Sequence, residues 1–288
     1  MMVQVTENRP ASIQANPSPP AAQAAGENSV AGVTTSPQSA VRRIMAGDPQ
    51  VVAFGEVHKT DKLSYQSTST HFANEILPLL PQYGITDLVL EAIPDDPRLD
   101  AELANFMKTG VITYNSQLGQ WLDGPDRCGY LAILEQARKS GITIHGGHLS
   151  LAEAPNAFQV GALYDRDPDG VTREIRDHTY NKIKKLVSEG KRVASFGGMR
   201  HNNIKPAPQD TDASYGDELR QEIGSRYREV DLLVPSQAAG QERQIDFPLW
   251  DRRIPAAGVY LLKKGERFLL IYPRERDIRE LPSIRCPK

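Results

Sequence analysis

The sequence predicts an α/β fold with a mainly parallel central sheet, helices on both faces and a C-terminal β-hairpin. Short apolar runs that read as strands alternate with longer segments of helical periodicity, which is typical of parallel sheets. The composition, with 39% hydrophobic and 24% charged residues among 288, is that of a folded globular protein. Because crossovers between parallel strands are right-handed, the carboxyl ends of the strands meet at one edge, where ligands bind.

Strands and helices are predicted to alternate from residue 40 to residue 272. Pro78 should kink the second helix and Gly84 should cap it, whereas residues 151–169 read as irregular. The predicted strands cover 51–54, 87–90, 142–144, 192–196 and 229–234, followed by a hairpin of 258–262 and 267–272. The predicted helices, with apolar residues at helical spacing, cover 40–46, 68–83, 99–108, 129–139, 171–189 and 217–226.

The first 40 residues differ in composition from the rest of the chain. They are rich in Ala, Pro, Ser, Gln and Asn and contain no aromatic residue. Such a segment buries too little apolar surface to offset the entropy of ordering it. We therefore expect residues 1–40 to be disordered, either as a passive tail or as an unfolded export signal of the kind that secreted bacterial effectors carry. Residues 41–288 are expected to form a single domain.

The bulk properties exclude several classes of partner. The net charge of −2 favours neither nucleic acid nor an anionic membrane. No apolar run approaches the roughly 20 residues of a membrane helix, and the N-terminus lacks the apolar core of a secretory signal peptide. We expect a cytoplasmic protein, or one exported without such a peptide. Cys128 and Cys286 are expected to be free thiols, which suits a reducing compartment.

Acidic and imidazole side chains follow four consecutive predicted strands. If the strands are parallel, these side chains gather at one edge of the sheet. A non-functional interpretation is also possible, since a histidine after a strand often only bonds a backbone carbonyl. We favour this interpretation for His145 and His148. The residues, in strand order, are Glu56 with His58, Glu91, His145 with His148, and His201 behind Gly197-Gly198.

These residue types suit proton transfer. A histidine takes and returns a proton at neutral pH, and a neighbouring carboxylate orients the ring and stabilises its protonated form. The same donors suit a divalent metal, although the sequence contains no HExxH motif and no cysteine–histidine pairs at zinc spacing. A metal site therefore stays open. The sequence also lacks a G-x-S-x-G elbow and a Walker A loop.

Arg173, Arg176, Asp177 and Tyr180 share one face of the helix predicted over 171–189. This stripe is either a solvated face with a local Arg–Asp pair or an arginine that binds an anion or orients the site.

Three of these motifs together resemble the erythromycin esterase / ChaN / Tiki superfamily. They are a strand ending in Gly55-Glu56-Val57-His58, a second strand ending in Glu91, and a late strand ending in Gly197-Gly198-Met199-Arg200-His201. Arg176-Asp177 in the preceding helix also matches the family pattern, so the resemblance covers about residues 50–235. The Glu-x-His spacing is closer to ChaN and to the Ras/Rap-cleaving toxin protease domain than to the esterases, whose histidine lies one residue further on.

The resemblance implies hydrolysis of an amide or ester bond in a small-molecule or protein substrate. Residues that match the motifs are expected to be catalytic, with His58 or His201 as general base, the other histidine as a donor to the oxyanion, and Glu56 and Glu91 orienting them. Arg176, Asp177 and His148 are expected to bind the substrate. The resemblance also implies an alternative, a ChaN-like protein that binds haem or another small ligand without catalysis, with haem held through tyrosine. The hydrolase needs no cofactor, or a divalent metal.

Overall fold

The computed structural model describes residues 31–58, 67–123, 126–238, 245, 247 and 250–274. The predicted α/β fold is confirmed, and its centre is one eight-stranded sheet. The strands are β1 Ala31–Thr35, β2 Val51–Glu56, β3 Asp87–Pro94, β4 Thr143–His148, β5 Val193–Gly198, β6 Tyr227–Leu233, β7 Val259–Lys264 and β8 Arg267–Ile271.

The sheet is mixed but mostly parallel. Its strands lie in the order β1-β7-β8-β6-β2-β5-β3-β4. From β8 to β4 every neighbouring pair is parallel, whereas β7 pairs antiparallel with both β8 and β1. The predicted C-terminal hairpin is therefore confirmed as β7–β8, and it extends the sheet beyond β6. Strand β2 lies between β5 and β6, so its carboxyl end is near the middle of the sheet edge.

The helices connect these strands. Asp96 accepts a hydrogen bond from Arg98 N at the start of the helix after β3, and Gly110 ends that helix with a left-handed φ of 72°, as helix-capping chemistry predicts. The α-helices are α1 Pro37–Ile44, α2 Thr68–His71, α3 Pro97–Thr109, α4 Gln117–Trp121, α5 Arg127–Ser140, α6 Ala157–Tyr164, α7 Pro168–Ser188, α8 Gly216–Ile223 and α9 Pro235–Ala238. The 3₁₀ segments are Leu77–Tyr83, Pro208–Ala213, Gly224–Arg226 and Trp250–Arg253, and Phe72–Ile76 is a π-helix.

The prediction of a single α-helix over residues 68–83 is wrong. The segment consists of α2, the π-helical segment and a 3₁₀ segment. Pro78 and Pro81 lack the N–H that an α-helix would use at those positions, which explains the change. Gly84 ends the run with a φ of 75°, as expected.

Two other predicted irregular stretches contain regular structure. The first is β1, which lies in the segment expected to be disordered; it pairs with β7, and its Val33 packs against the core. Residues 1–30 lie outside the described residues. The second is α6, within the stretch 151–169, where the Asn156 side chain caps the helix by accepting from Gln159 N.

The cysteine prediction is wrong for Cys128, which is disulfide-bonded. Cys286 lies outside the described residues. Within the described ranges, no helix is long and apolar enough to cross a bilayer.

Three phenylalanine rings pack directly beneath the carboxyl edge of the sheet. Phe54 on β2 and Phe196 on β5 are register partners, and Phe72 of the π-helical segment packs on both. The ring centroids are 5.0 Å apart for Phe54–Phe72 and 4.5 Å apart for Phe72–Phe196. All three side chains are buried, so they fix the helical segment after β2 against the two strands.

Replacing the middle ring should weaken the fold strongly. We expect Phe72→Ala to lower the free energy of unfolding by about 3–5 kcal/mol, because it leaves a cavity under β2 and β5. Urea unfolding followed by circular dichroism measures this change. Phe158→Ala is the matched control, since Phe158 is 85% exposed and should change stability by no more than about 0.5 kcal/mol. Equal effects of the two substitutions would contradict this account of the core.

Candidate active site

Three adjacent parallel strands bring polar side chains to one edge of the sheet. Strands β2 and β5 end side by side, with Glu56 opposite Gly198, and β3 lies on the other side of β5. Strand β3 is longer than predicted, so Glu91 lies within it. The register between β3 and β4 shifts between Leu90 and Pro94. Glu91 therefore lies at an irregularity of the kind that re-aims side chains next to active sites.

The Glu91 carboxylate lies between two imidazoles. Its Oε2 accepts a hydrogen bond of 2.8 Å from Gly198 N. Its Oε1 lies 3.6 Å from His58 Nε2 and 3.7 Å from His201 Nε2. Burial raises the pKa of Glu91, but the charges of His201 and His58 and the hydrogen bonds outweigh it and lower the pKa to about 2. Glu91 is therefore a carboxylate at neutral pH.

The Glu56 carboxylate holds the other side of His58. Its Oε1 lies 3.2 Å from His58 Nδ1 and accepts a 3.0 Å hydrogen bond from the Tyr130 hydroxyl. Its Oε2 accepts a 2.6 Å hydrogen bond from Thr68 Oγ1. Burial, followed by the charge of Glu56, raises the pKa of Tyr130 well above its usual value, so the phenol keeps its proton and donates. Glu56 itself is 1% exposed.

His58 is the cation of the cluster. Burial lowers its pKa, but the hydrogen bonds and charges of Glu56 and Glu91 outweigh this and raise the pKa well above 6.5. The side chain is 51% exposed, so solvent screens part of the effect without changing its direction. At neutral pH His58 therefore carries a proton on each nitrogen, one directed at each carboxylate.

His201 is fixed by its backbone surroundings. Its Nδ1 lies 2.7 Å from the Ala213 carbonyl oxygen, so Nδ1 carries the hydrogen and the neutral ring keeps its lone pair on Nε2. Ser214 Oγ donates to the His201 carbonyl at 3.1 Å. These bonds hold the loop after β5 against the segment that precedes α8.

Arg176 and Asp177 do not line the cavity, contrary to their predicted role in substrate binding. Arg176 Nε donates to the Ser214 carbonyl at 3.3 Å, and its guanidinium pairs with Asp177 and Glu218. These contacts occupy the hydrogen-bond donors of Arg176 on the outer side of the loop that carries His201. Arg176 thus makes the local pair with Asp177 that one interpretation of this helix face expected, and it is also placed to orient the loop.

The polar cluster opens into a cavity of about 390 Å³. His148 lies in its wall, with its ring edge-on to Trp121 at 5.5 Å. Burial lowers the pKa of His148 to about 4, although Glu91 opposes the shift, so the ring is neutral at pH 7. The lining residues are Glu56, His58, Glu91, Ala92, Trp121, Tyr130, His148, Val160, Tyr164, Thr172, Ile175, Gly198, Met199, Arg200 and His201.

His145, the other histidine of that strand, is not part of the cavity. Its Nε2 bonds Asp87 Oδ1 at 2.9 Å, at the opposite end of β3. Because β4 is longer than predicted, His145 lies inside the strand rather than after it. Its partner is thus the carboxylate of a residue on the neighbouring strand, not the backbone carbonyl expected in the non-functional interpretation.

The two glycines that end β5 are required by close packing. A Cβ on Gly197 would overlap the Glu91 carboxylate, and one on Gly198 would lie 2.9 Å from His58 Nε2. Side chains at these positions would push the carboxylate and the imidazole out of place.

Thr68, Tyr130 and Gln237 belong to the site but were not predicted. Gln237 Oε1 accepts from Thr68 N at 3.0 Å, and its side-chain amide donates to the Val57 carbonyl. Thr68 and Tyr130 do not follow a strand, Gln237 lies four residues beyond β6, and none of the three belongs to a motif, so no pattern in the sequence marks them. They reach the site only through the packing of helices on the sheet.

In the part of the chain that the structure describes, no group of three or more His, Cys, Asp or Glu side chains has a geometry that would hold a metal ion. Both Glu56 oxygens and His201 Nδ1 already have hydrogen-bond partners.

The charge of Glu91 should be visible in the titration of His58. We expect Glu91→Gln to lower the pKa of His58 relative to the unsubstituted protein, because one of the two carboxylates that raise it is removed. Proton NMR titration of the imidazole resonances measures this. Asp95→Asn is the control: it should lower the pKa of His178, which the Asp95 hydrogen bond raises, and leave His58 unchanged. An unchanged His58 titration in Glu91→Gln would contradict the geometry.

No protein-family model matches the sequence, and no curated protein matches it either. Among solved structures, the chain is similar to RRSP, a MARTX toxin effector domain from Vibrio vulnificus, with 19% identity and a TM-score of 0.39 over 62% of this chain. That match spans only 34% of the RRSP chain. It is also similar to the type III effector HopBA1 (11% identity, TM-score 0.45, 87% of this chain and 99% of that one).

A further similar structure is ChaN of Campylobacter jejuni, described with cofacial haem binding (13% identity, TM-score 0.43, 81% of this chain and 90% of that one). ChaN and a toxin effector domain, both named with the resemblance of the sequence motifs, are thus among the solved structures to which the chain is similar. At these identities and TM-scores the similar structures do not support an activity for this chain, so any proposed activity depends on the geometry of the site alone.

Proposed function

We propose that this protein is a hydrolase that cleaves an amide or ester bond with water activated by His201. The observation that carries the proposal is the hydrogen bond from His201 Nδ1 to the Ala213 carbonyl. Because Nδ1 carries the hydrogen of this bond, the nitrogen that can accept a proton is Nε2, on the wall of the cavity. Nε2 is 3.7 Å from Glu91 Oε1, longer than a hydrogen bond, so it is free to accept a proton from water.

His58 supplies the complementary charge. Its protonated ring lines the same cavity. Nδ1 bonds Glu56, whereas Nε2 is 3.6 Å from Glu91 Oε1, longer than a hydrogen bond, so its N–H is the one that stabilises the oxyanion formed when water attacks a carbonyl. The two histidines thus differ in role because they differ in surroundings. One ring lies between two carboxylates, and the other is tied to a backbone carbonyl. Such divergence is typical of paired acid and base groups.

The reaction follows from these positions. Water oxygen bonds to the carbonyl carbon while one of its protons moves to His201 Nε2, and the oxyanion is held by the N–H of His58. When the tetrahedral intermediate collapses, the bond to the leaving group breaks and the proton on His201 moves to the leaving nitrogen or oxygen. Glu91 stays ionised throughout, since its pKa of about 2 lies far below neutral pH, and it stabilises both imidazolium ions.

The haem-binding alternative has less support in the geometry. A haem held through tyrosine needs a phenol oxygen that faces the cavity without another task. Tyr130 donates its hydrogen to Glu56, whereas Tyr164 is 42% exposed and accepts from Thr172 Oγ1 at 3.2 Å. A haem bound through Tyr164 would not involve the buried Glu–His cluster. The proposed hydrolysis, in contrast, gives a role to every residue of that cluster.

Removing the proposed base should abolish hydrolysis. With 4-nitrophenyl esters as substrates, we expect His201→Ala to lower kcat/KM by about 10²–10⁴-fold, the usual contribution of a general base. His178→Ala is the matched control, because His178 lies on the surface of α7 and pairs with Glu153 away from the cavity. Stopped-flow release of 4-nitrophenolate measures both. Equal activity of His201→Ala and the unsubstituted protein would refute the assignment, as would a Soret band on haem addition in place of turnover.

The pH dependence should report His58. Because the proton on His58 is needed and its pKa is raised well above 6.5, the fall of kcat/KM with rising pH should begin above the ordinary histidine range. Glu91→Gln should move this alkaline limb to lower pH, since it removes charge that holds the proton. Initial rates measured from pH 5 to 10 test this. A limb that is unmoved by the substitution would show that another group controls it.

A further inference from the structure

The cavity has two chemically different walls. One wall is the Glu–His cluster. The other is apolar and is formed by Trp121 at the end of α4, Val160 and Tyr164 on α6, and Ile175 on α7. None of these four residues belongs to a motif in the sequence, and the proposed hydrolysis does not use them.

Helix α6 is unusual in the chain. It contains no charged residue, and none of its side chains is buried. Val160 and Tyr164 are four residues apart, so they share the face that lines the cavity. An apolar helix face that stays uncovered in a folded protein indicates a surface for a ligand or partner.

The apolar wall carries no net charge. The imidazole beside it is His148, whose Nδ1 is buried without a hydrogen-bond partner and whose pKa burial lowers to about 4. The remaining cation of the lining outside the Glu–His cluster is Arg200, which is paired with Asp210 Oδ1 at 3.0 Å. A charged substituent placed against this wall would lose water and find no partner there.

We infer that this wall selects the substrate: the protein acts on amides or esters whose carbonyl is flanked by a large, uncharged, apolar group. This inference rests on the proposed hydrolysis and adds the class of substrate. The apolar group packs on Trp121, Val160, Tyr164 and Ile175 while the carbonyl faces His58 and His201 across the cavity. These four side chains are specificity-determining and take no part in proton transfer.

Two esters of equal chain length test the inference. We expect kcat/KM for 4-nitrophenyl hexanoate to exceed that for mono-4-nitrophenyl adipate, which ends in a carboxylate, by at least roughly tenfold. Val160→Asp should abolish this preference, because it places a charge in the apolar wall. Gln159→Asp adds the same charge to an exposed position of α6 and should keep the preference. Equal kcat/KM values for the two long esters, or loss of the preference in both variants, would overturn the inference.

A binding measurement separates this inference from the proposed hydrolysis. The chain has two tryptophans, so a Trp250→Phe background leaves Trp121 as the only tryptophan, which can be excited selectively over tyrosine. Hexanamide should change the Trp121 emission, adipamic acid should not, and His201→Ala should not affect either result. If no ester is hydrolysed but hexanamide binds selectively, hydrolysis is wrong and the apolar subsite stands. If esters are hydrolysed and neither amide binds selectively, the subsite is wrong and hydrolysis stands.

Discussion

The site depends on one buried carboxylate held between two imidazoles. Glu91 Oε1 lies within 3.7 Å of both His58 Nε2 and His201 Nε2, and its other oxygen is fixed by the amide of Gly198. A carboxylate in such a position is stable only if its surroundings compensate for the loss of water. The strand irregularity that aims Glu91, the two glycines that make room for it, and the cation at His58 are all consequences of this requirement.

A second layer of contacts keeps the two histidines different. Thr68 and Tyr130 saturate the oxygens of Glu56, which anchors His58. Ala213 and Ser214, with Arg176 behind them, anchor the loop of His201. Each histidine is thereby oriented by a different part of the chain. One ring is left as a cation and the other, when neutral, as a proton acceptor, which is the division of labour that water-dependent cleavage needs.

Much of this arrangement could be predicted from the sequence, because it depends on the sheet. Apolar runs and their glycine ends place Glu56, His58, Glu91 and His201 at one edge once the strands are known to be parallel, and the structure brings these four together. The hairpin β7–β8 could be predicted for the same reason. The features that could not be predicted depend on contacts between distant segments of the chain. Tyr130 reaches Glu56 from a helix, Arg176 turns outward to a loop, and β1 pairs with the distant strand β7.

The claim that His58 and His201 act as one catalytic unit is tested most directly by a double-mutant cycle on kcat/KM. Residues that act as a unit are strongly non-additive. The His58→Ala/His201→Ala double variant is therefore predicted to be no slower than the slower of the two single variants. Independent losses that multiply in the double variant would contradict the account.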